Sequence, residues 1–213
     1  MAEIRDYKKE RKDLYLPKNK PMLIDVPEMQ FVAVEGKGNP NDESGEYKKA
    51  IEVLYGIQYT IKMSKNGKSV PKGYFDYVVP PLEGFWWLDN SKDFSIENKS
   101  KYRWISLIRL PEFVNDKVLE WACEEVQKKK NIDTAKAKLL KTKEGLCVQC
   151  LHLGPYDDEP KTLKLMEEFI AENSLQSDLS DTRRHHEIYL SNPVKTEKSK
   201  LKTILRVPVK GGY

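Results

Sequence analysis

The chain has 213 residues, 39% hydrophobic and 33% charged, with 37 Lys and Arg against 33 Asp and Glu and a net charge of +4. That length carries one large domain or two halves around a shared core, and the composition excludes an intrinsically disordered chain. No stretch approaches the ~20 apolar residues of a membrane helix, the N-terminus is charged where a signal peptide is apolar, and the basic residues are scattered. These features predict a cytoplasmic protein, monomer or homodimer, without a membrane or nucleic-acid partner. Three cysteines, Cys123, Cys147 and Cys150, are no disulfide scaffold and fit a reducing compartment.

Met22 to Glu35 is rich in β-formers and runs into Gly36-Lys37-Gly38-Asn39-Pro40, which predicts a strand and then a loop. From Glu46, apolar Ala50, Ile51, Leu54, Ile57 and Ile61 recur at helical spacing, with a stop near Asn66-Gly67. Tyr74 to Val79, Phe85 to Leu88 and Tyr102 to Leu110 read as three short strands. Pro111 ends the last of them, and Asn115 is placed to cap a second helix marked by Val118, Leu119, Ala122 and Val126, closed by Lys128 to Lys130. A hairpin is expected next, Ala137 to Thr142 and Leu146 to Leu153, turning through Lys143-Glu144-Gly145. Gly154-Pro155 breaks it, and Asp157-Asp158-Glu159-Pro160 opens a third helix that buries Leu163, Met166, Phe169 and Ile170. His186 to Leu190 and Leu201 to Val209 are the final strands.

The order strand, Gly-containing loop, helix, strand, strand thus occurs twice, with Gly36 matching Gly154 and Tyr77 matching Tyr189. We expect an α+β fold in which two such units, related by a pseudo-twofold axis, form an antiparallel sheet with helices on one face and a ligand groove on the other. Residues 1–213 then form a single domain, with 22–111 as the first half-repeat, 112–136 as a connecting helix and 137–213 as the second half-repeat.

Several motifs carry no chemistry. Cys147 and Cys150 have CxxC spacing but sit in a strand, where residues three apart face opposite ways, so packed thiols are expected. His185, His186 and Glu187 alternate faces and lack a second ligand cluster, so neither a metal nor another cofactor is expected. Gly36-Lys37-Gly38 lacks the rest of a dinucleotide or P-loop fingerprint.

The strand aromatics are more informative. Alternation sends Trp86 and Trp87 to opposite faces, one to the helix layer and one to the groove. Tyr55 and Tyr59 flank the core stripe of the first helix, either packing or closing a pocket edge. With Tyr77, Phe85 and Trp104 they are the candidate ligand contacts. If Ile188 and Leu190 pack on the third helix, Glu187 and Tyr189 point into the groove, where a carboxylate among aromatics suits a cation or general-base work.

The strings LYLPKNKP at 14–21, GKGNPN at 36–41, YTIKM at 59–63, YFDYVVPPLEGFWW at 74–87, HLGPYDDEP at 152–160, HHEIYLSNP at 185–193 and LKTILRVPV at 201–209 together resemble the GyrI-like small-molecule-binding family. They lie close to its cyclopropanoid cyclopropyl hydrolase subfamily. The resemblance implies a groove between the halves, an acidic residue at Glu187, and an aromatic cage that opens the cyclopropane of DNA-alkylating natural products by adding water. In that chemistry Glu187 holds and deprotonates the water, while Tyr189 or Tyr156 donates to the substrate carbonyl. The expected partner is a planar aromatic or cyclopropane-bearing small molecule. The alternatives are sequestration of aromatic or cationic compounds without turnover, or inhibition of a partner enzyme.

Overall fold

The computed structural model describes residues 4–67, 70–88 and 96–211. Two single-turn helices, α1 (Tyr7–Glu10) and α2 (Lys12–Tyr15), precede β1 (Met22–Lys37), α3 (Glu46–Met63), β2 (Leu82–Leu88), β3 (Tyr102–Arg109), α4 (Asp116–Lys130) and β4 (Ala137–Leu153). Then come α5 (Glu159–Glu172), a short β5 (Leu175–Ser177), β6 (His185–Tyr189) and β7 (Lys202–Gly211). Helix boundaries follow local chemistry. The Asn115 side chain accepts from the Val118 N–H at the start of α4, which ends on left-handed Asn131, and Pro160 occupies the first turn of α5.

All pairing is antiparallel within the order β4-β1-β3-β2-β6-β7, and β4 also pairs with β7, so six strands close into a ring with β5 attached to the end of β7. Within each unit the last strand is central, β3 between β1 and β2 and β7 between β4 and β6. Across units β1 meets β4 and β2 meets β6. This is the duplicated strand-helix-strand-strand arrangement expected from the sequence.

Side-chain alternation separates an interior from an exterior. Inside, Phe31, Ala33, Phe85, Leu107, Cys147, Ile188 and Ile204 form one cluster with Tyr7, Leu14 and Tyr15 of the N-terminal segment. Outside, α3 and α4 cover Val32, Val34, Trp86, Trp104 and Ile108, while α5 covers Val148, Cys150 and Leu205. Cys147 and Cys150 therefore face opposite ways.

The N-terminal segment is bound to a buried charged group. Arg206 donates to Glu144 Oε1 at 2.8 Å, to Gln149 Oε1 at 3.1 Å and to the Leu14 carbonyl at 3.1 Å. His186 lies 3.0 Å from both Glu144 Oε1 and Glu83 Oε2, and the Tyr15 hydroxyl donates to Glu83 Oε1 at 3.2 Å. Burial alone would lower the His186 pKa, but the two carboxylates raise it to about 9. Glu144, which burial alone would raise, is held at about 2 by His186 and Arg206.

Four sequence expectations are corrected. Residues 137–153 form one strand: Lys143-Glu144-Gly145 reads as a turn, yet Gly145 at φ 66° stays in register opposite Val26. It resets the alternation so that Glu144 and Cys147 both face inward. Tyr74 to Val79 is no strand, and only Tyr77 bridges to Arg5. Ile188 and Leu190 pack on the interior and not on the third helix. The face away from the helices is the barrel interior, so Glu187 lies on the helix-bearing face.

Leu14 is fully buried, so Leu14→Ala should cost about 2–4 kcal/mol in urea unfolding. A loss below about 0.5 kcal/mol would place the N-terminal segment outside the cooperative core.

Candidate functional site

The outer face carries two tryptophans that each lie back across a glycine. A Cβ on Gly36 would stand 2.3 Å from the Trp104 ring, and one on Gly84 would stand 2.6 Å from Trp86 Nε1. With those positions bare, Trp86 lies flat enough to donate to the Tyr189 hydroxyl at 2.9 Å, and Tyr189 donates to Glu187 Oε2 at 2.7 Å. The other oxygen of Glu187 is 3.3 Å from His185 Nε2. Strand register explains the meeting, since Gly84 is opposite Glu187 and Leu82 is opposite Tyr189.

The helices complete the enclosure with their first turns. Tyr47 of α3 packs on Trp86 (5.3 Å between centroids) and edge-on against Trp104 (5.1 Å), and Tyr102 meets Trp86 at 5.9 Å. From the other unit Tyr156 meets Tyr189 at 5.9 Å, and Glu159 opens α5. His152 holds this segment, with one ring nitrogen 2.8 Å from Thr162 Oγ1 and the other 3.0 Å from the Pro155 carbonyl.

Charge in this space is restrained. Burial and the neighbouring Glu187 carboxylate raise the Glu159 pKa well above the usual carboxylate range. Burial, then Glu187, raise Tyr189 well above an ordinary phenol, and burial pushes Tyr156 and Tyr102 up to about 12. Glu159 Oε1, Trp104 Nε1 and Thr203 Oγ1, with Thr203 opposite Tyr189, are buried and lack a hydrogen-bond partner among the described residues. Unpaired buried polar atoms are costly, and these three belong to residues of the helix-bearing side of the sheet. The arrangement suits a flat, polarisable molecule that offers polar atoms to the protein.

Of the residues singled out from sequence, Glu187, Tyr189, Tyr156, Trp86 and Trp104 are brought together. Tyr55 and Tyr59 stack on each other further along α3, with Tyr59 half exposed; at 1.5 Å per residue they lie about 12 and 18 Å beyond Tyr47. Tyr77 is buried against Gln58, whose side-chain oxygen accepts its hydroxyl at 3.1 Å. Phe85 and Trp87 face the interior, Phe85 against His186 and Trp87 beneath Arg184. Sequence reasoning missed Tyr47, Tyr102, Glu159, His152 and Thr203. The internal repeat held a signal for two of them, because Tyr47 and Glu159 both stand at the start of the helix that follows a unit's glycine loop.

Among the described residues no group of three or more His, Cys, Asp or Glu could hold a metal, and no helix is long and apolar enough to cross a membrane.

A duplicated fold with an aromatic and acidic enclosure on its helix-bearing face defines a small-molecule-binding protein. The chain belongs to the GyrI-like small molecule binding domain family, whose model matches residues 19–210. It is similar to a solved uncharacterized conserved protein from Listeria innocua, at 49% identity and TM-score 0.92, covering 97% of this chain and 100% of that one. A structure described as a hydrolase from Listeria innocua is 48% identical with TM-score 0.88, over 97% and 100% of the two chains. The C-terminal domain of EcmrR shares the fold at 12% identity and TM-score 0.53, over 90% and 98%. No curated protein matches.

The raised Glu159 pKa gives a sign to the pH dependence. The folded state keeps this proton where the unfolded chain, with an ordinary value of 4.5, has released it. Its contribution to stability is therefore full below 4.5 and is lost as pH rises toward the folded value. Glu159→Gln should raise the urea midpoint at about pH 8, with the two curves converging below about pH 4.5. A constant offset at all pH values would reject a protonated Glu159.

Proposed function

We propose that this protein adds water to planar electrophiles in which a cyclopropane is fused to a conjugated dienone. Glu187 accepts the proton of the attacking water. The water oxygen bonds to the cyclopropane CH2 carbon, the strained C–C bond breaks, and its electron pair moves through the ring to the carbonyl oxygen. That oxygen receives a proton from Glu159 and becomes a phenol. Glu187 then loses the proton it took from water to solvent, and Glu159 regains one.

The observation that carries this reading is the buried pair of carboxyls, one adjoining the Tyr189 hydroxyl and one favouring its protonated form, inside a set of aromatic rings. A carboxyl that burial and a neighbouring carboxylate hold protonated is suited to act as the acid beside a second carboxyl acting as base. Aromatic faces stabilise the positive charge that develops at carbon by about 0.5–2 kcal/mol each. Tyr189 spends its proton on Glu187 and orients it, whereas Tyr156, whose pKa is about 12, keeps a proton with which to hold the carbonyl. The hydrolase description of a 48%-identical relative favours turnover.

A second reading, capture of aromatic cations without chemistry, is favoured by the same Glu187 carboxylate among π faces. Mass spectrometry of a spirocyclopropyl dienone incubated with catalytic amounts of protein separates the two. Hydrolysis gives a product heavier by one water, and capture gives saturable tryptophan quenching with unchanged mass. Glu187→Gln should keep binding and lose about 10²–10⁴-fold in turnover; unchanged turnover would remove Glu187 as the base.

A further inference from the structure

The barrel has two ends, and among the described residues the N-terminal segment fills one of them. Tyr7, Leu14 and Tyr15 occupy the end near the start of β7. At the other end, a cavity of about 330 Å³ is lined by Phe85, Trp87, Ile105, Leu140, Pro208 and Glu144. It is separated from Glu187 by the sheet itself, since Phe85 and Trp87 alternate with Gly84 and Trp86 along β2.

The lining specifies a chemistry. Phe85 and Trp87 offer ring surface, and Ile105, Leu140 and Pro208 offer apolar walls. The contacts of Glu144 with Arg206 and His186 both go to Oε1, which leaves Oε2 for a donor in the cavity. Charged lining residues are already matched: Glu35 with Lys138, Asp181 with Arg184, Arg183 with Asp178, and Glu144 with Arg206. An added cation would lie next to Arg206 and His186 and gain no free counter-charge, which favours an uncharged ligand. The Arg184 guanidinium already lies 4.4 Å over one face of the Trp87 ring, so a planar ligand takes the other face of that ring or displaces Arg184.

We propose that the cavity at this end of the barrel is a second small-molecule site, for a small, uncharged, planar aromatic ring bearing an N–H donor. The ring packs on Phe85 and Trp87 and its N–H donates to Glu144 Oε2. The volume is at the small end of ligand pockets, about 300–1,000 Å³, so one or two fused rings fit.

Benzimidazole, uncharged at neutral pH, is the probe. It is titrated into full-length protein carrying ¹⁵N-labelled tryptophan, with indole signals assigned from Trp86→Phe and Trp87→Phe. The Trp87 signal should shift saturably and the Trp86 signal much less. Leu140→Phe, which fills the cavity, should weaken binding about tenfold or more, whereas Glu187→Gln should leave it within about twofold. Thr142→Tyr at the rim is the second filling variant and serves if Leu140→Phe does not fold. The proposal is overturned by an unmoved Trp87 signal up to millimolar probe. It is equally overturned if binding is lost in Glu187→Gln, or if full binding persists in a folded filling variant.

Discussion

Arg206 is the contact on which the architecture turns. It is fully buried, and its guanidinium reaches Glu144 and Gln149 on β4, the ring of His186 on β6, and the carbonyl of Leu14 in the N-terminal segment. Together with Glu83 these groups set two carboxyls against a guanidinium and an imidazole in the middle of the barrel. Such a group is tolerated only complete, because removing one member leaves its partner charged and unsolvated. Arg206 therefore joins strands from both ends of the second unit and fixes the segment that fills one end of the barrel.

With the interior committed to this network, the chemistry falls to the outer face. There the closest approaches are between rings and bare backbone. Gly36 beneath Trp104 and Gly84 beneath Trp86 set how far each indole stands off the sheet. That height fixes whether Trp86 reaches Tyr189, and through Tyr189 it fixes the rotamer of Glu187. Each unit then contributes one helix start, so that Tyr47 and Glu159 approach the same space from the two sides of the pseudo-twofold axis.

Much of this is legible in the chain. The repeated order of strand, glycine loop and helix specified the duplication, because hydrophobic period and turn residues act locally. Glu187 and Tyr189 could be placed on one face by alternation alone. Which face was not legible, since that depends on closure of the ring, a property of pairing between residues more than a hundred apart such as Met22 and Gln149. The same non-locality hid the interior role of Glu144. Lys143-Glu144-Gly145 has turn composition, and only the buried partners Arg206 and His186 explain a carboxylate there. Glu159 looked like an ordinary acid at a helix start, because its burial and its nearness to Glu187 arise only in the folded chain.

The span of the Arg206 contact bears on how the molecule is made. Arg206 and the Leu14 carbonyl are separated by 192 positions, and β7 supplies the pairings that close the ring onto both β4 and β6. During synthesis Tyr7, Leu14 and Tyr15 leave the ribosome long before the cavity that receives them exists. Their apolar surface stays solvent-exposed until residues beyond 206 are available. Assembly is thus a late, high-contact-order event, and the nascent chain is at its most aggregation-prone just before the last strand arrives.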